Sequence, residues 1–266
     1  WYTMHVSCID SPRVADDFVD DMKRRFGEDS PAYFVRVLGS FPPAEEDTVI
    51  PVFLIEHAFS NTVKVHEDTI AVWGLDVARQ GGDSSVLCKR QGPMIHPLTV
   101  WRNLDLMQLS GAVKAEYDAM PPSRRPAEII IDSNGFGAGV LDRLRELGLP
   151  ARGLNVSERA VAKQTYLNLR AELWFKCKAW LEGMDVSLPK DDALYAELAG
   201  PRYMFTSSGK IQVESKESMK KRGIRSPDRA DALCLALAND HTTMAFGVAA
   251  AGSWAKPIRR NIRGVV

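Results

Sequence analysis

Residues Ala71–Leu87, AVWGLDVARQGGDSSVL, decide how the rest of the chain is read. Ile70, Val72, Trp73 and Leu75 form an apolar, β-rich run that ends on Asp76. A Gly-rich turn and a second strand from Ser85 come next, the pattern of a hairpin of central strands. A carboxylate at the end of a buried strand is costly to desolvate unless it meets a cation or a metal ion. A lone aspartate there is an ordinary turn or cap residue. Asp76 draws notice because the chain supplies two comparable features further on.

The first is Glu128–Val140, EIIIDSNGFGAGV. Three consecutive isoleucines read as a strand buried on both faces, as in a parallel sheet covered by helices. Asp132 stands at its C-terminal end, and Gly135, Gly137 and Gly139 then open a helix. The second is Ser226–Ala238, SPDRADALCLALA. Ser226 suits an N-cap and Pro227 the first helical turn. Asp228 and Asp231 are three apart, so they share one helical face and can point at one target.

A chain of 266 residues holds one large domain, or a domain with an appendage. Its formal net charge of +0 excludes a bulk polycation, so any nucleic-acid binding must use a local basic face. Cys8, Cys88, Cys177 and Cys234 are scattered without a CxxC pair, which suggests neither a zinc site nor a disulfide framework. With no membrane-length apolar run and no secretory signal, a soluble protein of a reducing interior is expected. The start at Trp1 reads as a piece of something longer.

Residues 1–51 differ in pattern from the remainder of the chain. Thr3–Ile9 is expected as a short strand, Pro12–Phe26 as a helix with Val14, Phe18, Val19 and Met22 on one face, and Ser30–Pro43 as a second apolar piece. The acidic AEEDT patch and Val49–Ile55 read as a connector, with a boundary between residues 50 and 68. Beyond it the elements alternate: strands at 70–77, 84–90 and 94–102, a helix at 104–120, a strand at 129–132, a helix at 138–147 and a strand at 151–156. This is a mixed α/β sheet with helices on its faces. A long helix at 163–183 carries Tyr166, Leu169, Leu173, Trp174, Cys177 and Leu181, read as core. A short helix over 191–199 and a hairpin of 202–205 with 210–214 come next. The basic run Lys216, Lys220, Lys221, Arg222 and Arg225 then leads into the DRAD helix, and a basic tail closes the chain.

Hard divalent cations prefer carboxylate oxygens, and two-metal phosphodiester hydrolysis brings carboxylates of separate elements around ions about 3.5–4 Å apart. Two strand-end aspartates and a DxxD helix suit that arrangement, because open α/β sheets place ligands at the C-terminal ends of their strands. Asp76 is then the expected bridging ligand and Asp132 a ligand of one ion, with Asp228 and Asp231 on the other side. Asp83 either leans toward the metals or caps its turn. The basic run, with Lys210 as a weaker member, is either a solvated loop or a set of phosphate contacts that position DNA without reading bases.

In that order, GLDVARQGGDSSVL, IIIDSNGFGAGVLDRL and SPDRADALCLALA resemble the nuclease domain of the large terminase subunit of tailed bacteriophages. That domain has the ribonuclease H-like fold, shared with Holliday-junction resolvases and integrases. The opening CIDSPRVADDFVDDMKRRFGEDSPAYFVRVLGSFP resembles the segment that closes the ATPase domain of the same subunit. The resemblance implies an ATPase remnant and linker at 1–60, a nuclease domain at 61–242 and a flexible basic tail at 243–266. It carries Asp76, Asp132 and Asp231 over as the acidic triad, with Asp228 as an acidic companion, and Mg²⁺ or Mn²⁺, two ions, as cofactor. It further implies double-stranded DNA as substrate, portal protein and small terminase subunit as partners of the full-length protein, and action in the host cytoplasm. No GxxxxGK[ST] occurs, so ATP hydrolysis is not expected of this stretch. The alternatives are a resolvase or transposase-like nuclease of the same fold, or a packaging module without catalysis. A sugar-kinase or actin-type ATPase fits less well, because Val77, Ala78 and Arg79 come after Asp76 in place of a phosphate cradle.

Overall fold

Side-chain alternation along one strand sets the two faces of the sheet. The structure, a computed structural model, describes residues 6–26, 28, 33–39, 47–78 and 83–238. The helices are α1 (Asp16–Phe26), α2 (Val52–Ser60), α3 (Leu106–Asp118), α4 (Gly137–Glu146), α5 (Leu169–Glu182), α6 (Asp192–Ala199), α7 (Lys216–Lys221) and α8 (Asp228–Ala236). The strands are β1 (Ala71–Asp76), β2 (Ser85–Gln91), β3 (Met94–Ile95), β4 (Thr99–Trp101), β5 (Glu128–Asp132), β6 (Ala151–Leu154), β7 (Tyr203–Phe205) and β8 (Ile211–Val213). The main sheet runs β3-β2-β1-β5-β6, with β4 also on β2, and β7 and β8 form a separate hairpin.

Within β1, Val72 belongs to the core shared with α2, α5, α6 and α8, whereas Trp73 and Leu75 belong to the core under α3 and α4. The period of two therefore puts Val72, Gly74 and Asp76 on the α8 side. In β5, Ile130 joins the α8 side while Ile129 and Ile131 face α3 and α4. Asp132 falls on the same side as Ile130. β1 and β5 are parallel, with Leu75 opposite Ile131, so the next register position sets Asp76 beside Asp132. The mixed sheet covered on both faces is the ribonuclease H-like architecture that the sequence leads one to expect.

Several boundaries move for physical reasons. The run at 94–102 breaks into β3 and β4 around Pro97, which has no N–H to give to the ladder. The long helix begins only at Leu169, where the Asn168 side chain accepts from Ala171 N–H (3.0 Å). Ile70 lies outside β1 and is exposed. Val6–Ile9 show no strand pairing, and Cys8 N–H donates to Val37 O instead (2.6 Å). The expected apolar piece at 30–43 forms a helical turn at Phe34–Leu38, while the rest of the expected strand, residues 30–32 and 40–46, the turn at 79–82 and the tail at 243–266 lie outside the described residues.

The expected connector is part of the core. Val49, Ile50, Leu54, Ile55 and Ala58 are buried with α5, α6 and α8, so packing shows no gap at residue 60. Met22, Tyr33 and Val37 form a smaller cluster against Phe205 of β7. No helix among the described residues is long and apolar enough to cross a membrane.

α8 lies directly on β1. A Cβ at Gly74 would lie 2.1 Å from Ala232 O and 2.4 Å from Ala236 N, both helix backbone. Only glycine lets the helix come this near. Gly74→Ala is expected to push α8 off the strand and destabilise the fold by about 3 kcal/mol, read as a lower urea midpoint. An unshifted midpoint would show that helix and strand are not in contact at this residue.

Candidate active site

α8 crosses the sheet where Asp76 and Asp132 emerge. It starts at Asp228, with Pro227 in the N-cap position and no side-chain cap of its own, so Ser226 is not the cap expected from sequence. The missing acceptor comes from α6, where the Glu197 carboxylate accepts from Arg229 N–H (2.6 Å) and Ala230 N–H (3.2 Å). Burial still pushes the Glu197 carboxyl up to about 7, against those N–H groups and Arg229. Asp228 and Asp231 thus occupy the first turn of α8, where backbone N–H groups favour negative charge.

Three of the four aspartates meet at a cation that belongs to the chain. Lys216, the first residue of α7, places its Nζ 3.0 Å from Asp231 Oδ2, 3.7 Å from Asp228 Oδ1 and 4.0 Å from Asp76 Oδ2. A cavity of about 60 Å³ is lined by Asp76, Asp132, Asp231, Lys216, Arg170 and Trp174, among others. Asp132 has its own partners, its Oδ1 accepting from Asn134 N–H (3.1 Å) and Val156 N–H (3.4 Å). Asp228 turns its other oxygen to Ser84 N–H (3.0 Å), tying α8 to the entry of β2. Asp83, next to Ser84, is exposed, and its charge acts on Asp228.

These surroundings separate the carboxyl groups electrostatically. Burial pushes Asp76 well above the usual carboxylate range, and Asp231, Asp228 and Asp132 add to it against the opposing pull of Lys216. Burial likewise raises Asp132 and Asp228, opposed by the backbone N–H groups each accepts from. Asp231 goes the other way. Burial works against its charge, yet Arg170, Lys216 and the Trp174 N–H together hold it below the ordinary value. Lys216 loses solvation too, but three carboxylates outweigh that and lift it above the ordinary lysine range.

Two neighbours escape a reading of the sequence. Trp174 Nε1 donates to Asp231 Oδ1 (2.9 Å), and Arg170 Nη2 lies 3.7 Å from the same oxygen. Both sit on α5, four residues apart and therefore on one face. Trp174 is fully buried, as expected of a core residue, and still contributes its N–H to the site. The only hint in sequence is the i, i+4 pairing of an arginine with a core tryptophan.

The basic run divides. Lys216 enters the acidic pocket, and Arg222 is engaged with Glu214 (Nε to Oε1, 2.9 Å) and Gly200 O (2.9 Å). Lys220, Lys221 and Arg225 are exposed on and just after α7, and Lys210 is half-buried in the β7–β8 hairpin. As for a metal, oxygen donors from aspartate suit a hard divalent ion. Among the described residues, however, no three His, Cys, Asp or Glu side chains stand close enough to hold one as placed. The point where three of the aspartates converge is taken by the Lys216 ammonium.

Comparison with known proteins agrees with this architecture. No protein-family model matches the chain. It is 25% identical over 244 residues, 86% of its length, to a probable terminase large subunit of Enterobacteria phage P7. The chain spans about half of that relative, 49% of its length. Its fold is similar to the nuclease domain of the large terminase subunit gp2 of bacterial virus Sf6, in a form with manganese and beta-thujaplicinol. That match has a TM-score of 0.60 and 20% identity, and covers 71% of this chain and 98% of that one. The large terminase nuclease of thermophilic phage G20c with bound magnesium matches with a TM-score of 0.55 and 18% identity, over 73% of this chain and 98% of that one. In sequence the chain is thus similar to a phage terminase large subunit, and its sheet domain has the fold of the nuclease domain of such subunits.

Proposed function

We propose that the sheet domain is a divalent-metal-dependent endonuclease that cuts concatemeric viral DNA, without base specificity, during genome packaging. One observation carries the reading: aspartates from the ends of two parallel strands and from the first turn of a helix line one pocket, with Asp76, Asp228 and Asp231 within 4.0 Å of the Lys216 ammonium. The reaction is phosphodiester hydrolysis. A water oxygen bonds to phosphorus as the P–O3′ bond breaks, and the departing 3′ oxygen takes up a proton. Asp76, Asp132 and Asp231, with Asp228 beside them, would hold Mg²⁺ or Mn²⁺, two ions by analogy with this chemistry. Bound there, such ions acidify water and neutralise charge on the leaving oxygen.

The chain's own groups do the rest. Trp174 fixes one oxygen of Asp231, which leaves the other turned to the pocket. Lys216 keeps the carboxylates together while no other cation is present, and its ammonium must withdraw for their oxygens to take an ion. Lys220, Lys221 and Arg225, exposed beyond Lys216, would meet the duplex backbone. In the full-length protein the substrate would be brought by portal protein and small terminase subunit, in the host cytoplasm.

Asp76→Ala and Asp132→Ala should each abolish plasmid nicking in Mn²⁺ while leaving the circular dichroism spectrum unchanged. Nicking at the wild-type rate by either variant would refute the assignment. In calorimetric titration, Lys216→Ala should bind Mn²⁺ at least ten-fold more tightly. The carboxyls of Asp76 and Asp132 are raised, so each must lose a proton before it can take an ion. Affinity of the wild type should therefore rise with pH, with protons released on binding; a flat profile contradicts this. Lys220→Ala/Lys221→Ala should weaken duplex binding and reduce its salt slope by about 2, at roughly 0.9 per phosphate contact. An unchanged slope removes these lysines from the DNA path.

A further inference from the structure

Arg170 holds a set of donors that the protein does not use. Its Nη1 donates to Glu214 O (2.8 Å), and its Cζ lies 5.9 Å from the centre of the Trp174 ring. Its Nε and Nη2 are buried against the pocket and have no hydrogen-bond partner. These two nitrogens lie along one edge of the guanidinium, where their N–H bonds run parallel and match two oxygens of a phosphate or carboxylate. The carboxylate within reach, Asp231, gives this edge a single contact at 3.7 Å, through an oxygen that Trp174 already occupies at 2.9 Å. A buried charged donor without an acceptor is costly, so a fork held ready in this way needs a ligand to complete it.

From this we infer that Arg170 binds the non-bridging oxygens of the phosphodiester being cut, through Nε and Nη2. The inference rests on the nuclease reading and gives it a cationic group on the α5 wall, opposite in charge to the aspartates. Four carboxylates would repel a phosphate that entered the pocket, and the Arg170 fork supplies the matching positive charge beside them. Arginine suits this better than lysine, because its charge survives burial and its two donors set the orientation of the phosphate as well as its position. Trp174 serves both partners: its N–H orients Asp231, and its ring supports the guanidinium.

Two variants test the inference. Arg170→Met keeps the apolar stem against Trp174 and removes the fork; Arg170→Lys keeps the charge and removes the bidentate geometry. Binding of a short labelled duplex is followed by anisotropy in Ca²⁺ over a range of NaCl, Mn²⁺ binding by calorimetry without DNA, and cleavage under single-turnover conditions in Mn²⁺. Arg170→Met should bind the duplex about ten-fold more weakly, with a salt slope lower by about 0.9. Arg170→Lys should recover the slope but cleave at least ten-fold more slowly than wild type at saturating DNA. An unchanged slope in Arg170→Met, or full-rate cleavage by Arg170→Lys, overturns the role of Arg170 while wild-type cleavage keeps the nuclease reading. A slope unchanged with Mn²⁺ affinity lost would instead make Arg170 a support for Asp231. Wild-type protein that cannot cut DNA in Mn²⁺ overturns both.

Discussion

Carboxylates gathered in a buried pocket repel one another, and they stay together only around a cation. At this site the cation is Lys216, within 4.0 Å of Asp76, Asp228 and Asp231. Each of the three comes from a position that the fold makes rigid: the end of a central strand and the first turn of a helix packed directly on it. The strain of the arrangement shows in the directions of the pKa shifts, upward at Asp76 under burial and downward at Asp231 under its cationic neighbours. The surrounding structure has to hold these groups against their mutual repulsion.

α8 bears most of that duty and is secured along its length. Its start is capped from α6 by Glu197, and Arg229 pairs with both Glu197 (3.1 Å) and Asp191 (3.2 Å). Its middle lies on Gly74 of β1, and its end is held by Arg90 of β2, whose Nε donates to Ala236 O (2.8 Å). Arg90 is buried, and desolvation lowers it to about 10, so this contact consumes solvation free energy to fix the C-terminal turn. A positive group on the last carbonyls also suits the helix dipole. Held at both ends and the middle, α8 has little freedom to move Asp228 and Asp231 away from Asp76.

How much of this the sequence discloses depends on whether the cause is local. The apolar runs of AVWGLD and EIIID are enough to put Asp76 and Asp132 at the ends of buried strands, but that the strands are neighbours with both aspartates on one side comes from their register. The i, i+3 spacing of Asp228 and Asp231 is local. The destination of Lys216 is not: in a run of basic residues every member looks alike. It is set apart by Ser215, whose side chain accepts from Ser218 N–H (3.1 Å) and so starts α7 at Lys216. Arg170 and Trp174 are hidden for the same reason, since a contact with Asp231 across 57 residues leaves no trace in the periodicity of α5. Residues 49–55 read as a connector because a short apolar run looks the same whether it lies in a linker or in the core.

The opposite shifts of Asp76 and Asp231 divide the labour in the candidate site. Both are buried, so desolvation acts on both in one direction, and the difference must come from donors. Asp231 has Arg170 and Trp174 behind it on α5, which commits it to the charged state whatever fills the pocket. Asp76 is crowded by three other carboxyls and eased chiefly by Lys216, so its charge depends on the cation in front of it. With all four aspartates ionised, Lys216 and Arg170 leave a formal deficit of two positive charges, which one divalent ion would match. Withdrawal of Lys216 widens the deficit to three, and the pocket then attracts small, highly charged cations more strongly. In this way the lysine that satisfies the site at rest also determines how strongly the emptied site draws an ion.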